Sequence, residues 1–216
     1  LDDFYIADPT DEKGLDTLMY FSTVYAQFKL LPALRGKTIL QRITAKGVKT
    51  TTKEVEADVI VFATGFDVMT GPMDRIDIRG RGAKTLKARW QEGLTSYLGL
   101  MTCGFPNFFW INGPHSQFYN PILLAEFQCD LIFDALKQME ASDKKSLEAI
   151  EEHEKGWVEL TNQIGNMTLF PKSNNYYMGD NIPGKPRQTV FFLGGFPMYR
   201  EQCLAAFDGL SAFDVT

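Results

Sequence analysis

Residues that bind metals or build disulfide frameworks are scarce in this sequence of 216 residues. It has two histidines and three cysteines, and Cys103, Cys129 and Cys203 are widely spaced with no Cys-x-x-Cys pair. This excludes a cysteine-based zinc framework and a disulfide scaffold, and such cysteines are typical of a reducing compartment. We therefore predict a cytoplasmic protein without a metal site.

Long apolar runs and runs of like charge are also missing. No stretch approaches the ~18 apolar residues that a membrane-spanning helix needs. The net charge is −5 and no basic patch is present, so no nucleic-acid partner is expected. The chain starts at Leu1, with neither a Met nor a secretory signal segment, from which we expect a truncated or processed product.

A glycine-rich phosphate-binding turn is the third absence. A dinucleotide site needs Gly-x-Gly-x-x-Gly between a buried strand and a helix, because N–H groups at the helix start bind the pyrophosphate. The sequence has one Gly-x-Gly, at residues 80–82, which lacks the third glycine and follows no buried apolar strand. The chain alone is therefore not expected to retain a dinucleotide.

Strand-like segments that alternate with helix-like ones predict an α/β fold. Short apolar runs at residues 57–63, 108–112 and 189–193 are typical of strands buried on both faces, and we predict that they share one sheet. Few βαβ units can be assigned to the chain, so the three predicted strands are expected to be part of a larger sheet with open edges. Residues 1–37, a missing amino-terminal half or a second copy in a homodimer could complete it.

Three helices are predicted in the second half of the chain. The best spans residues 120–139, where Asn120 is the N-cap and Pro121 takes the first helical position. The other two are expected at 146–164 and 199–207, from the spacing of their apolar residues.

The chain is predicted to have two parts, with a boundary after residue 37. Residues 1–37 form a segment of unclear origin, with helix-like apolar spacing over residues 14–31. Residues 38–216 form the main domain, which opens with strand-like alternation at 39–48 and 53–57.

Seven short signatures follow one another in the order of a known family. The first is the apolar strand that ends in Ala63-Thr64-Gly65-Phe66-Asp67. The others are Trp90-x-x-Gly93-x-x-Ser96-Tyr97-Leu98-Gly99, Gly104-Phe105-Pro106-Asn107-Phe108-Phe109, Gly113-Pro114-His115-Ser116, Ala125-Glu126-x-Gln128-x-Asp130, Asn181-Ile182-Pro183-Gly184-Lys185-Pro186-Arg187, and Gly194-Gly195-Phe196 with Tyr199-Arg200. From residue 38 to residue 213 the chain resembles the carboxy-terminal part of Baeyer–Villiger-type flavin monooxygenases.

The resemblance implies part of an FAD/NAD(P)-binding-type sheet with packed helices. It also implies an enzyme that uses FAD, NADPH and oxygen to turn a ketone into an ester or lactone. The family's two pyrophosphate turns, and an arginine that stabilises the flavin peroxide, are not recognised here, so the chain is not expected to be self-sufficient. A flavin-free descendant that isomerises, dehydrates or cyclises an apolar substrate is one alternative, and a non-catalytic binding domain is another.

The matched region also contains candidate site residues, each with a purely structural alternative. His115 is the candidate acid or base, because histidine titrates near neutrality, although a lone histidine in a turn is more often a surface or capping residue. The candidates for cofactor contacts are Gly65, Asp67, Gly113, Pro114, Ser116 and Asn120. The candidates for the substrate pocket are Phe118, Tyr119, Tyr176, Tyr177 and Lys185.

The two loops that carry these candidates are expected to converge. Loops 113–120 and 176–185 keep ends typical of the family, while their middles hold aromatic residues. We predict that both line one cavity for a small apolar substrate with a carbonyl or hydroxyl group. Two departures from the family concern the cofactors. Pro121 lacks the N–H that in relatives helps to hold flavin, and Tyr176 stands where relatives carry a tryptophan that senses NADPH.

Overall fold

A computed structural model describes the backbone of strands between residues 4 and 50, residues 54–62 and 67, and residues 69–216 except 119 and 181–184. Two candidate site residues, Gly65 and Tyr119, lie outside these described residues. The chain divides into two compact units, Leu1–Gly65 and Phe66–Thr216.

The described residues of the first unit form seven short strands. β1 (Phe4–Ala7) pairs antiparallel with β2 (Thr17–Phe21), and β3 (Tyr25–Phe28) pairs parallel with β7 (Val59–Phe62). Between them, β4 (Leu40–Thr44), β5 (Gly47–Thr50) and β6 (Glu54–Glu56) form an antiparallel meander, which confirms the alternation at 39–48 and 53–57.

Two predictions for this unit are wrong. At the described positions of residues 14–31, the expected helix is replaced by β2 and β3, which cover half of that range. Thr17, Tyr20, Phe21 and Tyr25 are residue types that favour strands. The run at 57–63 does form β7, but Ile60 is buried while Val59 and Val61 are 40% and 43% exposed. β7 therefore buries one face rather than two.

Three longer helices organise the second unit. α1 (Gly71–Asp74) and α2 (Leu86–Arg89) are single turns, and they precede α3 (Pro121–Ala141), α4 (Glu151–Asn166) and α5 (Phe196–Phe207). Their apolar faces meet in one core, to which α3 contributes Leu124, Leu131, Ala135 and Met139, α4 contributes Trp157, and α5 contributes Tyr199, Cys203, Ala206 and Phe207.

The three predicted helices form, and two of their starts are corrected, since α5 begins at Phe196 rather than 199. The Asn120 side chain accepts hydrogen bonds from the N–H groups of Ile122 and Leu123, and Pro121 starts α3. α4 begins at Glu151 rather than 146, because Leu147–Ala149 form β8, which pairs antiparallel with β9 (Phe213–Val215). Tertiary pairing with the distant carboxy-terminal strand thus overrides the local helical pattern there.

The predicted strands at 108–112 and 189–193 are wrong. Both segments carry buried apolar residues, as expected, but their backbone groups bind loops instead of a sheet. Trp110 donates to the Leu100 carbonyl (3.0 Å), and one parallel bridge joins Phe192 to Gln117. Among its described residues, this unit combines helices with one small sheet, made by β8 and β9, and the single predicted sheet is not formed by these segments.

The length and hydropathy of the described helices bear on membrane insertion. Among the described helices, none combines the length and the apolar character needed to cross a bilayer.

Candidate functional site

A cavity of about 230 Å³ opens in the second unit. Its apolar wall comes from the end of α2, the turn at Tyr176–Met178 and the segment that follows residue 185. The apolar side consists of Met69, Trp90, Leu94, Tyr176, Pro186 and Val190; the polar side consists of Asp67, Thr70, Asp74, Lys87, Gln91, Lys185 and Gln188.

A charged cluster occupies one side of this cavity. Lys185 Nζ binds Asp67 and Thr70 directly, and lies 3.3 Å from Asp74 Oδ2. Thr70 Oγ1 also donates to Asp67 Oδ1 (3.0 Å). The lysine charge is thereby shared between two carboxylates, so the cluster ties the loop at residue 185 to α1 and leaves little positive charge for an anionic ligand.

Gln188, which also lines the cavity, binds the backbone of Leu94 through both ends of its side-chain amide. Its side-chain oxygen accepts the N–H of Leu94 (3.0 Å), and its side-chain nitrogen donates to the carbonyl of Leu94 (2.8 Å). Both polar atoms of this amide are satisfied by backbone, which holds Leu94 against the cavity.

A layer of aromatic rings adjoins the cavity. Tyr177 stacks on Phe170 (4.2 Å between centroids) and lies 4.3 Å from Tyr176, while Phe118 approaches Tyr177 and Phe191 edge-on at 5.1 and 5.2 Å. Burial, together with a hydrogen bond to Tyr176, raises the pKa of Tyr177 to about 12. Tyr177 is therefore a neutral phenol at physiological pH.

The two predicted loops meet in this layer but do not line one cavity. Tyr176 and Lys185 border the cavity, whereas none of the described residues of loop 113–120 does. Contact between the loops runs through Phe118 and Tyr177. The prediction of a shared cavity is wrong in this respect, because the backbone of the first loop turns inward to bind residues 190–192.

His115 lies in the interior, contrary to the expectation that it borders a pocket. It is fully buried with φ +61°, and its N–H donates to the Val190 carbonyl (2.9 Å). Nδ1 lies 3.3 Å from Ser96 Oγ, whose own proton is directed to the Pro114 carbonyl, so we assign the ring proton to Nδ1. Nε2 has no partner within hydrogen-bonding geometry.

The environment of His115 favours its neutral form. Burial lowers its pKa from 6.5 to about 4, although the Thr189 backbone acts in the opposite direction. A ring with this pKa and no solvent access is a poor proton carrier near neutral pH. The geometry therefore does not support the acid–base role.

The buried ring predicts a pH-dependent stability. Between pH 4 and 6.5 the unfolded chain binds a proton that the folded chain excludes, so this stability is complete above pH 6.5 and is lost as the pH falls towards 4. From pH 7 to 4.5 the loss should be about 2 kcal/mol in urea unfolding. His115→Gln should remove this slope and His153→Gln, on an exposed helix face, should keep it; equal slopes in both variants would contradict the assignment.

Most of the remaining cofactor candidates have structural partners. A Cβ at Gly113 would lie 1.6 Å from the Trp110 ring, the Pro114 carbonyl accepts from Ser96 (2.6 Å), and Asn120 caps α3. Ser116 Oγ donates to the carbonyl of Gly99 (3.2 Å). Of the candidates that the structure describes, it is Asp67, Tyr176 and Lys185 that come together at the cavity.

Most residues that line the cavity were not among the candidates from the sequence. Trp90 belongs to a family signature and Gln188 directly follows one. Their closeness to these signatures could have identified them as site candidates. Thr70 and Asp74 carried no such signal, since only the fold brings them to Lys185.

The described residues do not fit the pyrophosphate of FAD or NADP. The start of α3 is capped by Asn120, and α4 begins with Glu151, Glu152 and Glu154, which repel phosphate. α5 carries Pro197, without an N–H, in its first turn. No group of residues in the described part could hold a metal ion either.

No family model matches the chain. Individual relatives and solved structures do match it. A Baeyer-Villiger monooxygenase of Pseudooceanicola batsensis is 41% identical over 148 residues, which cover 68% of this chain and 27% of the relative. Cyclohexanone 1,2-monooxygenase of Acinetobacter sp. is 35% identical over 199 residues, which cover 92% of this chain and 36% of the relative.

A solved structure agrees with these relatives. Cyclohexanone monooxygenase from Rhodococcus sp. Phi1, bound to NADP+, matches with a TM-score of 0.76 and 36% identity, over 83% of this chain and 34% of that one. The chain therefore spans about a third of the length of the relatives it matches.

Proposed function

We propose, from its resemblance to the carboxy-terminal part of Baeyer–Villiger-type flavin monooxygenases, that this chain forms one side of a site that oxygenates a small apolar ketone. The product would be an ester or lactone, with NADPH and oxygen as co-substrates. The observation that carries the proposal is the cavity bordered by Tyr176 and Lys185, two positions in or beside the family's signatures.

The cavity suits a compact ring with one polar group. Trp90, Leu94 and Val190 present apolar surface, and the opposing charges of Asp67 and Lys185 cancel locally. Burial of apolar ligand surface stabilises binding by roughly 25 cal/mol per Å². A neutral ketone is favoured over an anionic substrate, because Lys185 is already paired.

FAD and NADPH would be bound mainly by protein outside this chain. The described residues contain no pyrophosphate cradle. An amino-terminal half, on the same or another chain, would complete the cofactor sites and add strands to the parallel pair of β3 and β7; a homodimer is the alternative way to cover that pair. The three free cysteines support a cytoplasmic location.

Purification of the 216-residue chain alone tests its dependence on such a half. We expect no flavin absorbance near 450 nm after purification, and no fluorescence change on addition of FAD, because helix-start phosphate sites are missing. Recovery of flavin at near-equal stoichiometry would contradict this expectation.

A hybrid enzyme tests the proposed activity. The chain would replace the matching segment of the Acinetobacter cyclohexanone monooxygenase. We expect the hybrid to hold FAD and to oxidise NADPH faster with cyclohexanone, with lactone detected by gas chromatography.

In this hybrid, Lys185→Met should lower kcat/KM about tenfold through loss of loop order, whereas Lys172→Met, at an exposed lysine outside the cavity, should not. A folded, flavin-loaded hybrid that converts no ketone of a graded panel would overturn the proposal and favour the non-redox alternative.

A further inference from the structure

Several of the sequence signatures meet in one buried hydrogen-bond network. Gln128, on the inner face of α3, donates from Nε2 to Ser116 Oγ (3.1 Å) and to the hydroxyl of Tyr199 on α5 (2.7 Å). Its side-chain oxygen accepts the backbone N–H of Asn112 (2.7 Å). Gln128 and Tyr199 are both fully buried, so each of these bonds is made away from water, where an unpaired group is costly.

The backbone that this network holds is strained. Leu98, Asn112 and His115 have φ values of +55°, +53° and +61°, in the left-handed region that residues other than glycine rarely adopt. Tyr199 donates its hydroxyl proton to the Leu98 carbonyl (2.7 Å). Asn112 is bound by Gln128 itself, and His115 is bound through its neighbour Ser116. The network thus contacts each strained position or the residue next to it.

The strained segment in turn supports the cavity wall. The His115 N–H donates to the carbonyl of Val190 (2.9 Å), and the Phe192 N–H donates to the carbonyl of Ser116 (2.9 Å). Val190 lines the cavity, and its own N–H donates to the Tyr177 carbonyl (2.9 Å). A displacement of segment 112–118 would therefore move the wall, although Gln128 and Tyr199 do not touch the cavity.

We propose that Gln128 and Tyr199 are positioning residues, which hold segment 112–118 in its strained form and so set the position of the cavity wall at Val190. The inference deepens the proposed function, on which it rests only for the identity of the ligand. A polar pair in this role explains why an otherwise apolar face of α3 carries a glutamine.

Histidine NMR on the full 216-residue chain tests this proposal without any ligand. Only His115 and His153 are present, so their ring signals are separable, and exposed His153 is the internal reference. In Gln128→Leu and Tyr199→Phe the titration midpoint of His115 should rise from about 4 by one pH unit or more, because a released segment admits water. Amide exchange at Asn112 and Val190 should accelerate about tenfold.

Gln138→Leu is the matched control. Gln138 lies on the same helix and donates to the Phe207 carbonyl (3.2 Å), remote from segment 112–118. It should lower the unfolding midpoint in urea but leave His115 and Val190 unchanged. If Gln128→Leu does not fold, Tyr199→Phe decides, because it keeps the ring and removes only the hydroxyl.

Unchanged His115 titration and Val190 exchange in the folded variants would overturn the proposal and reduce the pair to core packing. These readouts need neither flavin nor ketone. Failure of the hybrid enzyme therefore counts against the proposed function alone, and failure here counts against the positioning role alone.

Discussion

Gly99→Ala should destabilise the chain by roughly 3–5 kcal/mol, which lowers the melting temperature by about 10 °C. A Cβ at Gly99 would lie 2.1 Å from Ser116 Oγ and 2.5 Å from the Ser116 backbone nitrogen. Backbone cannot yield there, because Ser116 is fixed by the bonds that it makes to Gln128 and Phe192. Thermal unfolding followed by circular dichroism measures the loss.

Gly82→Ala is the control for the conformational part of this effect. Gly82 has φ +64° and Gly99 has φ +67°, but a Cβ at Gly82 would meet nothing within 4 Å. Its cost should be about 1 kcal/mol, the usual penalty for a left-handed alanine. The difference between the two variants isolates the steric contact with Ser116. Equal losses would show that the packing around Gly99 is looser than described.

Glu154→Ala should lower the free energy of unfolding by roughly 3 kcal/mol, the usual scale for loss of one partner in a buried ion pair. Glu154 is 1% exposed and pairs with Arg89, whose side chain is 17% exposed. It also accepts from Thr102 Oγ1 (2.5 Å) and from the Cys103 N–H (3.3 Å). Truncation removes the carboxylate opposite the Arg89 charge, which keeps only its hydrogen bond to Thr102, and it takes the acceptor away from two other donors. Urea unfolding at pH 7 gives the loss.

Two further variants separate the causes. Glu151→Ala, on the same helix, removes an exposed pair with Lys155 and should leave the unfolding midpoint unchanged. Glu154→Gln keeps an acceptor for Thr102 but removes the charge opposite Arg89, so its effect should be intermediate. A Glu154→Ala protein as stable as Glu151→Ala would show that Arg89 finds water in place of the carboxylate.

Features that depend on neighbours in the chain could be predicted from sequence. The N-cap at Asn120, Pro121 at the first position and the apolar spacing beyond them identify α3, because capping and helix periodicity act within a few residues. The antiparallel meander between residues 40 and 56 follows from local alternation for the same reason. The seven signatures, which follow the order of the family, were also sufficient to identify the family resemblance.

The local sequence pattern gave wrong predictions where a distant segment takes the hydrogen bonds of the backbone. Leu147–Ala149 fits a helix but pairs with Phe213–Val215, and 108–112 has the composition of a buried strand without strand partners. Composition reports the burial of Leu147, Ala149 and Trp110, although Ile111 is 39% exposed. It does not report which backbone will satisfy the N–H and C=O groups, since that choice depends on tertiary packing.

Sequence was enough to predict the longer helices, the likeness to flavin monooxygenases and the lack of a pyrophosphate turn, because each depends on short spacings or on residue order. The chemistry of the candidate residues, in contrast, depends on tertiary contacts. Lys185 is paired with Asp67 across 118 positions, and Gln128 meets Tyr199 across 71. Burial of His115 likewise depends on residues 189–192. Charge pairing and desolvation are set by which groups the fold brings within a few ångströms, and no local pattern encodes that distance.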